Sequence, residues 1–303
     1  MVFPECRVKL SYLWDRGRIR EVSAFAGWNF FGSLFQLLGT QGMNVLVNWG
    51  YGVVANAALS ITNAVNAHAT SLSGALVGAF SPAITTAYGA REHERMRVMA
   101  FRSCRMATLL AYVFIIPLMC ELPLILKIWL KDPPPYTAGI CMMFLFTYCM
   151  NMSTIGHINA INATGHVKEY QKSFAKVSMF NFPIKVLVCV LGFGIYAVVG
   201  MRVVFWLTIV WRRLYFARKE AGMNYRHWFY HVFLPLSFVG GLALLLGQTP
   251  KVLMAGTFWR VALSSLIIEV VIFVSAWSFV LERTEKEIVV EKAKSLRRRL
   301  LKR

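Results

Sequence analysis

Acidic residues are scarce in this chain, which has 14 Asp and Glu against 33 Lys and Arg, and charged residues make up only 16% of its 303 positions. The hydrophobic fraction is 57% and the mean hydropathy is +0.54. A soluble domain of this size seldom carries so few charges, and a helix needs about 20 mostly apolar residues to span a bilayer. Several runs reach that length, which indicates an integral membrane protein.

Motifs for catalysis and metal binding are missing as well. The sequence contains no GxSxG, no HExxH and no phosphate-binding loop, and its six cysteines form no CxxC pair. Most cysteines lie within apolar runs, where we expect small buried side chains rather than disulfide partners or metal ligands. We therefore predict neither enzymatic activity nor a cofactor.

The net charge of +19 raises the question of nucleic acid as a partner. The basic residues, however, form short clusters between apolar runs, and no nucleic-acid-binding signature is present. Basic clusters on alternate loops are typical of membrane proteins, in which positive charge stays on the cytoplasmic side. We expect membrane lipids, and no nucleic acid, as partners.

Eight spans are predicted, and the basic clusters decide their number. Residues 168–176 and 212–226 both carry bases and should both face the cytoplasm, so an even number of spans must separate them. We therefore divide the region between them at Gly192-Phe193-Gly194. The spans lie at about 24–49, 53–80, 106–126, 138–160, 172–193, 195–216, 228–247 and 259–281, with both termini cytoplasmic.

The first two spans, separated at Gly50-Tyr51-Gly52, each carry one polar seam on an otherwise apolar surface. At about 100° per residue, the seam residues of each helix share one face. They are Asn29, Ser33, Gln36, Thr40 and Asn44 in the first span, and Asn56, Ser60, Asn63, Asn66, Thr70 and Ser73 in the second. The fourth span has a similar seam that ends at Asn162. In lipid, such seams are expected either to bond neighbouring helices or to line a hydrated cavity.

Four charges within or beside the spans are candidates for function. Lys185 lies near the middle of the fifth span, and we expect it either to line a cationic cavity or to pair helices, because a charge at that depth costs about 2.5–3.5 kcal/mol. Arg202 is expected to snorkel outward, and ligand binding is the alternative. Arg102, at the inner mouth of the third span, either meets a head group or fixes topology. Glu269 either couples an ion or makes a structural hydrogen bond with Ser265.

Six short motifs follow one another along the chain. They are AGWNFFGS at 26–33, QGMN at 41–44, VANAA at 54–58, AFSPAI at 79–84, ELP at 121–123 and NAINATG at 159–165. In this order they resemble the second lobe of the polysaccharide-flippase branch of the MATE-like (MOP) transporter superfamily, whose members are identified as lipopolysaccharide or O-antigen export proteins.

The resemblance implies an all-α polytopic helix bundle in the bacterial inner membrane that flips a lipid-linked oligosaccharide of the undecaprenyl-pyrophosphate type by alternating access. Residues 1–22 would be a cytoplasmic linker, 23–222 the six helices of the second lobe, 223–282 two extra transmembrane helices and 283–303 a basic cytoplasmic tail. The first lobe of such transporters has no counterpart in this sequence, so transport would need a separate or missing N-terminal lobe.

A polar, cationic cavity would stabilise the pyrophosphate of such a substrate. The candidate cavity contacts are Lys185, Asn44, Asn63, Asn162, Gln36 and Arg102, and Glu269 is the ion-coupling candidate.

Three alternatives to a flippase stay open. A multidrug or cation antiporter predicts a carboxylate-rich cavity, a non-transporting scaffold or remnant predicts no substrate, and a membrane-bound acyl- or glycosyltransferase predicts a catalytic His/Asp set that is absent here.

Overall fold

The computed structural model describes residues 16–282 and 285–287. Most of the predicted linker and nearly all of the predicted basic tail lie outside these residues, as do the side chains of the seam residues Asn29 and Ser73. The regular secondary structure of the described part is entirely helical. The prediction of an all-α membrane helix bundle is confirmed.

The described part of the chain forms α-helices joined by short turns, with two π-helical segments near the end. The α-helices are α1 (Arg16–Gly89), α2 (His93–Leu130), α3 (Thr137–Met152), α4 (Ile155–Thr164), α5 (Lys168–Val190), α6 (Ile195–Ala221), α7 (Tyr225–Trp228), α8 (Leu234–Leu246), α9 (Thr249–Leu253) and α10 (Phe258–Ser275). The π-helical segments are Phe229–Phe233, before α8, and Ala276–Val280, after α10.

Helix α1 folds back on itself at Gly52. This residue has φ 83° and ψ 178°, a conformation that is open mainly to glycine. Thr40 and Asn63 line the same small cavity, although a straight helix would hold them about 34 Å apart. The two limbs, α1a before Gly52 and α1b after it, therefore lie side by side. This confirms the predicted separation of the first two spans.

By length and apolar composition, six helices of the described residues can cross a membrane, or seven if the pair α3 and α4, bent by 45°, counts as one span. The fold-back at Gly52 divides the longest of these, Phe30–Ser71, so the arrangement accommodates the eight predicted spans. Helix α2 is longer than the predicted third span of 106–126. It continues through Pro117 and Pro123 with one non-helical residue, Glu121, because membrane helices tolerate proline.

Two main apolar cores, together with a small cluster of Leu122, Leu126 and Cys141 between α2 and α3, hold the helices together. The larger core surrounds α2 and includes fully buried side chains from α4, α6, α8 and α10, such as Ile161, Val239 and Ile268. The smaller core packs the limbs of α1 against α3 and α6, with Val47 and Ile140 at its centre. Four cysteines are free and buried in the bundle, as predicted. The C-terminal helices α8 and α10 are thus attached through α2, while α1 packs mainly against α5, α2 and α3.

Small residues bring α1a close to α5. A side chain at Gly42 would collide with the ring of Phe182, and a side chain at Gly50 would collide with the sulfur of Cys189. At the bend, the Tyr51 hydroxyl donates a hydrogen bond to the carbonyl oxygen of Phe193, in the turn between α5 and α6. This close packing, typical of membrane helices, fixes the depth at which α1a meets the polar groups of α5.

Candidate functional site: a cationic cavity inside the bundle

Lys185, the charge that the sequence analysis placed in the middle of a span, lies inside the bundle. Its side chain is only 5% exposed, and its Nζ donates a hydrogen bond to the carbonyl oxygen of Gly39 at 3.4 Å. The two helices can approach this closely because residue 39 has no side chain. A Cβ there would lie 2.9 Å from the Nδ2 atom of Asn181. Helices α1a and α5 therefore enclose the ammonium group together.

Arg202, on α6, points into the same space. Its Nε donates a hydrogen bond to the Thr147 hydroxyl on α3 at 3.2 Å, and its guanidinium carbon lies 4.0 Å from the centre of the Phe144 ring. The prediction that Arg202 snorkels outward is therefore wrong. The hydroxyl and the aromatic face, both inside the bundle, stabilise the guanidinium there, so it has no need to reach the interface.

Lys185 and Arg202 line one cavity of about 30 Å³. Its other lining residues are Gly39, Thr40, Met43, Leu59, Asn63, Phe144 and Val199. The volume holds about two water molecules, so the polar groups are close to one another. Among the described residues, no carboxylate forms an ion pair with either cation.

Two cations in one cavity without an anion are expected to destabilise the protein. Like charges repel strongly in a medium of low dielectric constant, and each charge also loses its hydration on burial. Apolar side chains of similar size would fill the same space at a lower free energy. Such a cavity is chemically suited to a bound anion, which would neutralise Lys185 and Arg202 together.

A larger polar cavity, of about 320 Å³, lies one helical turn away along α1a. Gln36, one turn before Thr40, lines it together with Arg213 on α6. The buried Arg213 guanidinium donates hydrogen bonds to Asn151 Oδ1 at 2.6 Å and to the Thr154 hydroxyl at 3.2 Å. The remaining lining residues are Gly32, Ser33, Ile158, Tyr170, Gln171, Phe174 and Trp206.

Helix α6 connects the two cavities. Arg202, Trp206 and Arg213 are separated by 4 and 7 residues and so share one helix face, with the two arginines about 16 Å apart along the axis. Trp206 lies between them, 5.7 Å from the guanidinium carbon of Arg213. The sequence analysis treated Arg213 only as part of a basic cluster, although its helical spacing from Arg202 was the signal that it shares the same face.

The fourth predicted span is broken beside this face. Helices α3 and α4 are separated by Ser153 and Thr154 and meet at 45°. Two side chains add hydrogen bonds to backbone carbonyls at the break, one of which, that of Asn151, also accepts from the Thr154 N–H at 3.3 Å. Trp228 Nε1 donates to the carbonyl oxygen of Ser153 at 2.8 Å, and Arg213 reaches the carbonyl oxygen of Asn151 at 3.4 Å. Broken helices with satisfied backbone groups line the substrate paths of many transporters.

The structure brings some of the predicted polar contacts together and separates others. Asn63 lines the smaller cavity and Gln36 the larger one. Asn44 is half-buried one turn further along α1a, where its Nδ2 donates to Gln41 Oε1 at 3.3 Å. Asn162 is exposed at the end of α4 and lines neither cavity.

Arg102 and Glu269 lie outside both cavities. They line an apolar groove of about 910 Å³ between α2 and α10, and Glu269 is exposed there. Arg102 Nε donates to Glu285 Oε1 at 3.0 Å, so part of its charge is already neutralised. In the described part of the chain, no hydrogen bond joins Ser265 to Glu269. The candidate contacts of the cationic cavity therefore reduce to Lys185 and Asn63, with Gln36 in the neighbouring cavity.

Part of each polar seam of α1 is exposed on the surface of the chain, while Asn44, Asn56 and Asn66 are half-buried. Ser33, Gln36, Thr40, Ser60 and Asn63 are all exposed, and four of them line the two cavities, as the second of the two expectations for the seams requires. One apolar strip of each limb supplies the smaller core, and the rest of the limb surface, both polar and apolar, stays exposed. The mouths of the two cavities open on this polar face.

Two buried ion pairs that the sequence analysis did not predict join α2 to the C-terminal segment. Glu121, 1% exposed, accepts hydrogen bonds from Arg260 at 2.8 Å and from Ser264 at 2.9 Å. At the other end of α2, the fully buried Arg105 pairs with Glu285 at 2.7 Å. A carboxylate inside an apolar run was the available signal for Glu121. These pairs fix helix positions, which leaves the uncompensated cations of α5 and α6 as the candidate binding site.

Comparison with known proteins adds no constraint. No family model matches the chain, and neither a curated protein nor a solved structure matches it. The resemblance to flippases therefore stays a prediction. Among the described residues, no group of three His, Cys, Asp or Glu side chains is placed to hold a metal ion. The geometry of the cavities is what bears on function.

Proposed function

We propose that the protein is part of a membrane transporter for an anionic, lipid-linked solute, and that this solute is an oligosaccharide carried on a polyprenyl pyrophosphate. The observation that carries the proposal is the pairing of Lys185 and Arg202 in one cavity without a carboxylate partner among the described residues. A pyrophosphate bears at least two negative charges and offers several acceptor oxygens. It would neutralise both cations and receive their hydrogen bonds.

The size of the cavity supports a mechanism of alternating access. With space for about two waters, it is too small for a pyrophosphate, so the described conformation is closed at this point. Entry requires the α1 hairpin to move relative to α5 and α6. The bend at Gly52 and the break after Met152 are the positions at which helices can tilt without losing internal hydrogen bonds.

The exposed polar face of α1 supports the need for a facing partner. An unsatisfied polar surface is unfavourable in lipid, so this face must meet water or another protein. The first lobe that the resemblance implies would face it and enclose a hydrated path between the lobes. The sugar and pyrophosphate would cross along this path, past Gln36 and Asn63, while the lipid tail stays in the bilayer.

The chemistry of the cavities does not favour the alternative of a multidrug or cation antiporter. A cation substrate or a coupling proton needs a carboxylate, and no Asp or Glu lines either cavity of the α6 face. The positive charges of Lys185 and Arg202 would repel a cationic drug. Glu269, the one predicted coupling carboxylate, opens on a separate apolar groove.

A binding titration tests the proposal. The purified full chain in nanodiscs is titrated with undecaprenyl pyrophosphate and, separately, with undecaprenol, which has the same tail without the charge. We expect the pyrophosphate to bind at least tenfold more tightly. The double variant Lys185→Met/Arg202→Met should lose at least thirtyfold in affinity for it, because two charge-assisted contacts disappear.

The matched control is Lys176→Met, which removes an exposed lysine from the same helix. This variant should bind like the unchanged protein. Equal affinity for the pyrophosphate and the alcohol would contradict the proposal, as would an unchanged affinity in the double variant. Either result would favour a scaffold without a head-group site.

A further inference from the structure

A separate groove, of about 640 Å³, lies at the end of the bundle where α6 meets α7. Arg218 and Arg226 line it together with six aromatic side chains. It is not connected with the proposed transport path, because none of its lining residues belongs to the two cavities beside α1. Its chemistry therefore needs its own explanation.

The groove has a positive charge that nothing within it neutralises. No Asp or Glu is among its lining residues, and no carboxylate of the described chain forms an ion pair with Arg218 or Arg226. Both arginines are exposed, and the Arg218 guanidinium carbon lies 5.3 Å from the ring of Tyr225. Two guanidinium groups at the mouth of a concave site are well suited to a phosphate ester.

The wall of the groove is apolar and aromatic. Trp211 is 71% exposed and Tyr215 55% exposed, and the buried Leu214 lines the groove with them. Tryptophan and tyrosine favour the head-group level of a membrane, and basic residues favour its cytoplasmic face. The groove thus combines two exposed guanidinium groups with an apolar wall, which is the combination that suits the phosphate of a phospholipid and the first part of its chains.

We propose that this groove binds one anionic phospholipid of the cytoplasmic leaflet. Arg218 and Arg226 hold the phosphodiester, and one acyl chain lies along Trp211 and Tyr215. The lipid then links the end of α6 to the C-terminal helices that follow α7. The larger groove between α2 and α10 should not select an anionic lipid in the same way, because Glu285 forms an ion pair with Arg102 there.

Native mass spectrometry of the delipidated full chain in neutral detergent tests this site. The probes are phosphatidylglycerol, phosphatidylcholine with the same acyl chains, and sn-glycerol 3-phosphate as the soluble phosphate ester. We expect one phosphatidylglycerol to be retained in preference to phosphatidylcholine. The double variant Arg218→Ala/Arg226→Ala should bind it about ten- to thirtyfold more weakly, since each arginine contributes separately.

The control is Arg212→Ala/Lys219→Ala, which removes two exposed charges from the same helix outside the groove. This variant should keep the affinity of the unchanged chain. An equal loss in the control would mean that only the total charge matters. Equal retention of phosphatidylcholine, which has the same phosphodiester but a cationic choline, would mean that the groove does not select an anionic lipid. Full competition by sn-glycerol 3-phosphate would show a soluble-phosphate site. Each of these three results would overturn the proposal.

Discussion

Lys185 and Arg202 reach the same small cavity from neighbouring helices, and neither forms an ion pair with a carboxylate of the described chain. If this arrangement serves binding, it should cost stability in the empty protein. We expect Lys185→Met to raise the free energy of unfolding by about 1–2 kcal/mol, because it removes a buried, repelled charge and keeps the volume. Denaturant unfolding in detergent measures the change.

Lys176→Met is the control and should leave the free energy of unfolding unchanged, because that lysine is exposed on the same helix. A loss of stability in Lys185→Met would support the other interpretation of this residue. In that case, the hydrogen bond to the Gly39 carbonyl would pair α1a with α5, and the role of Lys185 would be structural.

Removing one partner of the buried pair of Glu121 and Arg260 should lower the free energy of unfolding, whereas removing the Lys185 charge should raise it. Arg260→Met leaves the carboxylate buried with only the Ser264 hydroxyl as a partner, and we expect unfolding to become easier by about 3 kcal/mol. The double variant Glu121→Leu/Arg260→Met should recover most of this loss, because no unpaired charge remains. Unfolding of the two single variants and the double variant, as a double-mutant cycle, measures the coupling.

The exposed pair of Glu92 and Arg95 is the comparison for that cycle, since both side chains are largely in solvent. Arg95→Met should change the free energy of unfolding by less than about 1 kcal/mol. If Arg260→Met had an equally small effect, the pair could not be what fixes α10 against α2.

Gly156 marks the closest approach between α4 and α2. A methyl group on this residue would collide with the backbone carbonyl of Ala100, which cannot move aside as a flexible side chain does. We expect Gly156→Ala to lower the free energy of unfolding by about 1–3 kcal/mol. Gly241→Ala is the control: it meets nothing within 4 Å in α8 and should stabilise the helix slightly. Equal effects would contradict the close approach.

The polar face of α1 should be hydrated although it lies within the membrane span. In a cysteine-free background, we expect Thr40→Cys and Asn63→Cys to react quickly with a charged, water-soluble thiosulfonate. The reaction needs water to form the thiolate. Val45→Cys, on an apolar and 70% exposed part of the same limb, should react slowly because it faces lipid. Slow reaction at all three positions would show that the polar face has no aqueous access.

The sequence alone predicted the features that depend on local pattern. The helical class follows from long apolar runs, the fold-back from Gly50-Tyr51-Gly52, and the buried position of Lys185 from its isolation within a span. The direction of Arg202 could not be predicted in this way. A long side chain near a span end can reach either the interface or the interior, and only the partners on α3 decide between them.

Contacts between residues that are far apart in the sequence could not be predicted either. Arg105 and Glu285 are 180 residues apart, so no spacing along the chain connects them. The polar seams show a similar limit, because helical periodicity identifies which residues share a face without identifying what the face meets. What each face of α1 meets depends on the smaller core, which buries one apolar strip of each limb.

The most direct test of the central claim is a flipping assay in proteoliposomes that contain the full chain together with a first-lobe protein. The substrate is a fluorescent lipid-linked oligosaccharide with a pyrophosphate, and an impermeant quencher reports its movement between leaflets. We predict that Lys185→Met/Arg202→Met lowers the rate by at least tenfold while Lys176→Met leaves it unchanged. Equal rates in all three proteins, or no flipping above protein-free vesicles, would contradict the account.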